Sequence, residues 1–296
     1  MRLSRYYGRL AAFLVAVVSL NSSPQAQLQG PALSGFPGAV ERVLPCVVRV
    51  MGETTEEKIR EYAIESAVSP DKKRYVFGSG FFVSVNGTIV TANHVVAPIT
   101  GDITVETKYA GNLVRRKAVL VAQDRSSDVA ILKIDGQGWP KVDMIDSASL
   151  PVGESIGFVG YPRGLSFPVV SKGIVSARVN MSLKEGLDAC NWMLLSGFVN
   201  PGNSGGPVFL ERTGQVIGLV NARKTADTEK RMISLPADYQ PVMTLRGIDP
   251  ISLAVETYNK NLELIGDVSQ FGIGFAAPAE YALKLEASLN GPNSRE

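Results

Sequence analysis

The strongest constraint on this chain is a rhythm of short apolar runs divided by turn residues. From about residue 42 the runs cover 47–50, 76–83, 88–91, 103–107, 129–134, 155–159, 169–177, 193–195, 208–210 and 216–220. Each has the length of a strand, and Asn86-Gly87 between two of them is a hairpin signal. No helical periodicity separates the runs, so an all-β sandwich or barrel is expected rather than a parallel α/β sheet. Three stretches break the rhythm. Residues 51–74, rich in Glu53, Glu56, Glu57, Lys58, Arg60 and Glu61, read as a long solvated loop with some local helix. Residues 223–269 form a second insertion, where Asp249-Pro250 signals the start of a short helix supported by Leu253, Tyr258 and Leu262. Residues 279–289 read as a closing helix.

Residues 1–26 have the build of a signal peptide. Arg2, Arg5 and Arg9 form a basic start, residues 10–20 an apolar segment, and Ala26 precedes the expected cleavage point. An 11-residue apolar run is too short to span a bilayer, which needs about 20 residues. Cleavage removes three of the 30 basic residues and no acid, leaving 27 against 28 acidic ones. A net charge of −1 favours neither nucleic acid nor an anionic membrane surface as partner. Cys46 and Cys190 are the two cysteines; in an oxidising compartment they either pair or remain buried thiols.

The chain holds one histidine, His94, which excludes any site that needs two imidazoles. It stands at the end of an apolar run, in Thr91-Ala92-Asn93-His94-Val95-Val96, where a strand end can hold a ring rigidly. A fixed imidazole that titrates near neutrality is the usual protein base. The matching nucleophile is Ser204, in Asn200-Pro201-Gly202-Asn203-Ser204-Gly205-Gly206-Pro207. Glycines on both sides allow a tight backbone that lifts the hydroxyl into a cleft, and the amides of Gly202, Asn203 and Ser204 are candidates to hold an oxyanion. The same string fits the G-x-S-x-G elbow of α/β-hydrolases, but there the histidine follows the serine, whereas His94 precedes Ser204 by 110 residues. Among the acids between them, Asp128 is best placed to orient the imidazole, because it directly precedes the apolar run Val129-Ala130-Ile131-Leu132.

At these residues the chain resembles the HtrA (Deg) family of trypsin-like serine peptidases. The resemblance rests on Gly78-Ser79-Gly80-Phe81-Phe82-Val83, the strings around His94, Asp128 and Ser204, Gly160-Tyr161-Pro162, Gly173-Ile174-Val175-Ser176, and Gly272-Ile273-Gly274-Phe275-Ala276. These pieces follow one another in family order over about residues 37–283. The resemblance implies two six-stranded antiparallel β-barrels with a cleft between them and a short C-terminal helix. It also implies His94 as base, Asp128 as orienter, Ser204 as nucleophile, no metal and no cofactor. The implied division is a signal peptide at 1–26, a first barrel over 27–145, a second over 146–283 with the insertion 223–269, and a tail at 284–296. With so short a tail, the PDZ domain of many members is not expected. Phe198 is expected to narrow the specificity pocket, beside a substrate-binding strand around Val220, Asn221, Ala222 and Arg223.

The expected function is therefore a bacterial, exported serine endopeptidase, periplasmic or secreted, acting on misfolded or exported polypeptides. A homo-oligomer is expected from the resemblance, without nucleic acid or a stable membrane insertion. The alternative is a non-catalytic or zymogen-like peptide-binding module on the same fold.

Overall fold

A computed structural model describes residues 34–62, 66–68, 73–109, 111–182, 186–225, 233–236, 238–241, 249–268 and 270–289. The expected signal segment at 1–26 lies outside them. The described chain opens with helix α1 (Gly35–Val43), which lays Phe36 flat against Phe209 with ring centroids 6.1 Å apart. The first barrel follows: β1 (Val47–Thr54), β3 (Arg74–Phe82), β4 (Thr88–Ala92), β5 (Ile103–Tyr109), β6 (Asn112–Asp124) and β7 (Val129–Lys133). The order β1-β5-β6-β7-β4-β3 closes through the β1–β3 pairing, and short β2 (Ser66–Val68) adds to β3 from outside. The second barrel contains β8 (Ser155–Gly160), β9 (Val169–Met181), β10 (Cys190–Ser196), β11 (Pro207–Leu210), β12 (Val216–Thr225) and β13 (Gln270–Pro278), closed in the order β10-β13-β12-β11-β8-β9. Helix α5 (Ala279–Leu289) crosses the expected boundary at 283/284, and the Tyr281 hydroxyl pins it to β10 by accepting the Asn191 N–H at 2.8 Å.

The barrels close because their strands present β-branched and aromatic side chains to two interiors. Val48, Val50, Phe82, Ile89 and Leu132 are buried in the first. Ile156, Phe158, Met193, Leu195, Val208 and Ile217 are buried in the second. Burying each such side chain contributes roughly 1.5–3 kcal/mol. The Asn86-Gly87 hairpin forms as expected, with the Val83 N–H donating to the Thr88 carbonyl at 3.0 Å.

Two expectations need correction. The stretch 51–74 is not mainly a loop: β1 runs to Thr54, α2 (Glu56–Tyr62) follows, then β2, and β3 begins at Arg74. The 13-residue strand β6 was not legible as a run. Leu113, Val119 and Val121 are more than 40% exposed on it, and Arg115, Arg116 and Lys117 interrupt its centre. Backbone pairing with both β5 and β7 holds it as a strand, aided by Arg115–Glu106 and Lys117–Asp102 ion pairs at 2.6 Å each. In the second insertion, helix α4 (Pro250–Val268) starts where expected but is longer than expected. Asp249 caps it by accepting the Ser252 N–H at 3.0 Å and the Ile251 N–H at 3.2 Å. Among the described residues, no helix is long and apolar enough to cross a membrane.

Candidate active site

The ends of two neighbouring strands bring the first pair of residues together. Strands β4 and β7 are antiparallel with Ala92 opposite Val129, so the residues just after β4 lie beside those just before β7. The chain leaves β4 in a single helical turn, α3 (Asn93–Val96), that carries His94. That turn packs close to β3, where a side chain on Gly78 would overlap Val95. Asp128 stands across from it in a left-handed conformation (φ 54°), which turns its carboxylate back toward the histidine.

Asp128 grips His94 at two points. Its Oδ1 accepts the His94 backbone N–H at 2.8 Å, and its Oδ2 meets Nδ1 of the ring at 2.6 Å. The Asp128 carbonyl also accepts the Asn93 N–H at 2.9 Å. An ionised carboxylate only accepts, so Nδ1 carries the hydrogen and the neutral ring presents a bare Nε2. Burial disfavours the imidazolium, but the Asp128 charge and hydrogen bond outweigh it and hold the His94 pKa above its ordinary value.

A third donor reaches the same carboxylate. Asn221, on β12 of the second barrel and 3% exposed, donates its side-chain amide to Asp128 Oδ2. The Asn221 carbonyl accepts the Ser204 hydroxyl at 2.9 Å. Among the described residues no hydrogen bond joins Ser204 to His94 in this resting arrangement. Such bonds are often loose in ligand-free sites, and rotation about the Ser204 Cα–Cβ bond redirects the hydroxyl.

The loop before Ser204 is a four-residue turn. The Asn203 N–H donates to the Asn200 carbonyl at 3.0 Å, with Pro201 second and Gly202 third at φ 90°. Proline followed by a positive-φ glycine is the type II pattern. Glycine is required at 202 for space as well, because a Cβ there would overlap the Tyr161 carbonyl. The turn is clamped from outside. The Arg163 N–H donates to the Pro201 carbonyl at 2.7 Å, and the Ser79 hydroxyl donates to the Gly202 carbonyl at 2.6 Å. Arg163 itself is left-handed (φ 50°). Among the described residues, neither the Gly202 N–H nor the Ser204 N–H finds a protein acceptor. Asn203, expected as an oxyanion donor, is corrected here: its N–H is committed to the turn.

The expected substrate strand divides. Val220 is fully buried in the second barrel, with its carbonyl accepting the Gly205 N–H at 2.7 Å and its N–H donating to Gly206 at 2.8 Å. It anchors the loop that carries Ser204 and has no free edge for a substrate. Asn221 sits at a bulge, where the register against β13 shifts between Val220 and Ala222, and this frees its side chain to reach Asp128. Ala222 and Arg223 pair with Phe275 and Gly274 along the backbone, while their side chains lie outside what is described. Phe198 is 69% exposed, so its ring projects into solvent rather than lining a closed pocket. The sequence reading missed the roles of Asn221, Ser79 and Arg163; the only signal was that Ser79 and Tyr161-Pro162 fall in strings shared with a known family.

Residues 78–219 match the family described as Trypsin-like peptidase domain. That stretch is similar to a trypsin-like peptidase domain. It is 31% identical over 246 residues to a Pseudomonas putida protein named "Probable periplasmic serine endoprotease DegP-like", covering 74% of this chain and 48% of that relative. It is also 31% identical over 227 residues to "Putative serine protease HhoB" of Synechocystis, covering 72% of this chain and 53% of the relative. The chain thus spans about half the length of the curated relatives it matches. Among solved structures it superposes on "HtrA-type protease AlgW with tripeptide" with a TM-score of 0.58 and 24% identity, covering 86% of this chain and 63% of that one. A serine endoprotease from Yersinia pestis gives a TM-score of 0.56 at 23% identity, covering 88% and 68%. These structures share the trypsin-like fold of two closed six-stranded barrels, and the sequence relatives make the resemblance HtrA-like.

Proposed function

We propose that this chain is a serine endopeptidase in which Ser204 is the nucleophile, His94 the base and Asp128 its orienter. One observation carries the reading: Asp128 holds His94 in the tautomer that bares Nε2, while the Ser204 loop keeps the Gly202 and Ser204 amides unpaired. In the proposed reaction Ser204 Oγ attacks a peptide carbonyl carbon and its proton passes to His94 Nε2. The carbonyl oxygen becomes an oxyanion that accepts hydrogen bonds from the Gly202 and Ser204 amides. The C–N bond then breaks, and His94 gives its proton to the departing amine. Water attacks the acyl-serine ester with His94 again taking the proton, and the acid product leaves with Ser204 restored.

The relatives' names point to proteins of the periplasm, and the basic and apolar pattern of residues 1–26 fits export to that compartment. Exported or misfolded polypeptides are the proposed substrates. The held turn at 200–203 supports an enzyme competent at rest over a zymogen-like form. The test is covalent labelling by a fluorophosphonate probe together with cleavage of unfolded casein. Labelling at Ser204 and loss of both activities in Ser204→Ala are expected. Equal casein cleavage by the Ser204→Ala and unsubstituted proteins would refute the reading.

A further inference from the structure

We propose that Ser79 is a positioning residue of this peptidase, whose buried hydroxyl fixes the turn that presents the Gly202 amide to the oxyanion. The proposal rests on the serine-peptidase reading above. Ser79 belongs to β3 of the first barrel, lies 125 residues before Ser204, and is 0% exposed.

Each polar atom of Ser79 is engaged around the site. Its hydroxyl donates to the Gly202 carbonyl at 2.6 Å and accepts the Tyr161 N–H at 2.9 Å. Its backbone N–H donates to the Ser204 carbonyl at 2.8 Å. Its carbonyl accepts the Thr91 hydroxyl at 2.6 Å, three residues before His94. A hydroxyl has one proton, and here the Tyr161 amide occupies its acceptor side, so the proton is committed to Gly202.

The geometry gives that proton a specific task. Gly202 joins two peptide planes. The plane before it carries the Gly202 N–H, and its carbonyl is held by the Arg163 amide. The plane after it has its N–H on Asn200 and its carbonyl on Ser79. Glycine at φ 90° offers little resistance to rotation, so these outside bonds decide where the Gly202 N–H points. Ser79 acts on both planes, because it also holds Tyr161, two residues before Arg163. No side chain fits between the parts: a Cβ on Gly160 would stand 2.8 Å from the Ser79 hydroxyl, and one on Gly205 would overlap the Ser79 carbonyl. Without the hydroxyl, the Gly202 carbonyl and the Tyr161 amide both lose a buried partner, and the turn is free to rotate its donor away.

The experiment uses Ser79→Ala and Ser79→Cys in the full chain. The cysteine fills a similar space with a much weaker donor, so it serves if the alanine variant does not fold. Removing one oxyanion donor costs roughly 10²–10³ in turnover, and a misdirected donor should cost about 10- to 100-fold. Both variants should show that fall in kcat, with KM within about threefold and fluorophosphonate labelling slowed in proportion. The rising limb of the pH–rate profile should stay in place, because Ser79 touches neither His94 nor Asp128. Folded variants with unchanged kcat would overturn the proposal. So would a lowered kcat accompanied by an equal displacement of the pH limb, which would mean a general disturbance of the site. If the unsubstituted protein is not labelled at all, it is the peptidase reading that fails.

Discussion

Replacing Asn221 by alanine removes one of the three donors on the Asp128 carboxylate and leaves the backbone carbonyl that receives Ser204. Asn221 is 3% exposed, so water does not readily replace the lost donor. A hydrogen bond to a charged group contributes about 1.5–3 kcal/mol. For a domain of this size each kcal/mol moves the melting midpoint by about 2–4 °C, so Asn221→Ala should melt about 3–12 °C lower. The rate should respond in a defined direction. With fewer donors on Asp128, its charge acts more strongly on the imidazolium, and His94 keeps its proton to a higher pH. The rising limb of kcat/KM against pH therefore moves upward, and activity near neutrality falls more than activity on the alkaline plateau. Thermal melts and a peptide-amide rate profile on the same preparation test both parts. A variant with unchanged midpoint and unchanged limb would show that the Asn221 amide does not support Asp128.

The unsubstituted protein should itself show a rising limb above the ordinary histidine value of about 6.5, because Asp128 raises the His94 pKa. The same shift makes the His94–Asp128 contribution to stability complete below about pH 6.5 and lost as pH rises through the raised value; unfolding midpoints against pH read it, and the lone histidine makes the assignment direct. The cysteines should titrate as two thiols in denaturant, since Cys46 and Cys190 are both buried and not joined in a disulfide. Native Cys46 should resist iodoacetamide at pH 8, because burial and the nearby Asp143 push its pKa up to about 12; rapid native alkylation, or a Cys46–Cys190 disulfide on a non-reducing gel, would contradict that account.

Much of the site could be read from the chain because its chemistry narrows the choices. With one histidine the proposed base follows by elimination, and the glycine-rich string around Ser204 has few other uses. Asp128 was legible because it directly precedes the apolar run Val129-Ala130-Ile131-Leu132 of β7. Strand β6 escaped the same reading because it is exposed on much of both faces and carries no alternation to detect. Val220 was misread as a substrate contact because a strand residue gives no sign of which face is buried until the second barrel closes over it.

The sequence alone determined the proposed reacting groups, since imidazole, hydroxyl and carboxylate are properties of residue types. It also determined the all-β class, through the spacing of apolar runs. The tertiary structure decided what restrains those groups. A bulge at Asn221 aims an amide at Asp128 from the other barrel, a left-handed Arg163 presents its N–H to Pro201, and Ser79 holds Gly202 from 123 residues away. The first and last depend on the relative placement of two closed barrels and the second on the closure of the second barrel, and hydrogen bonds between residues so far apart in the chain leave no local periodicity from which they can be read.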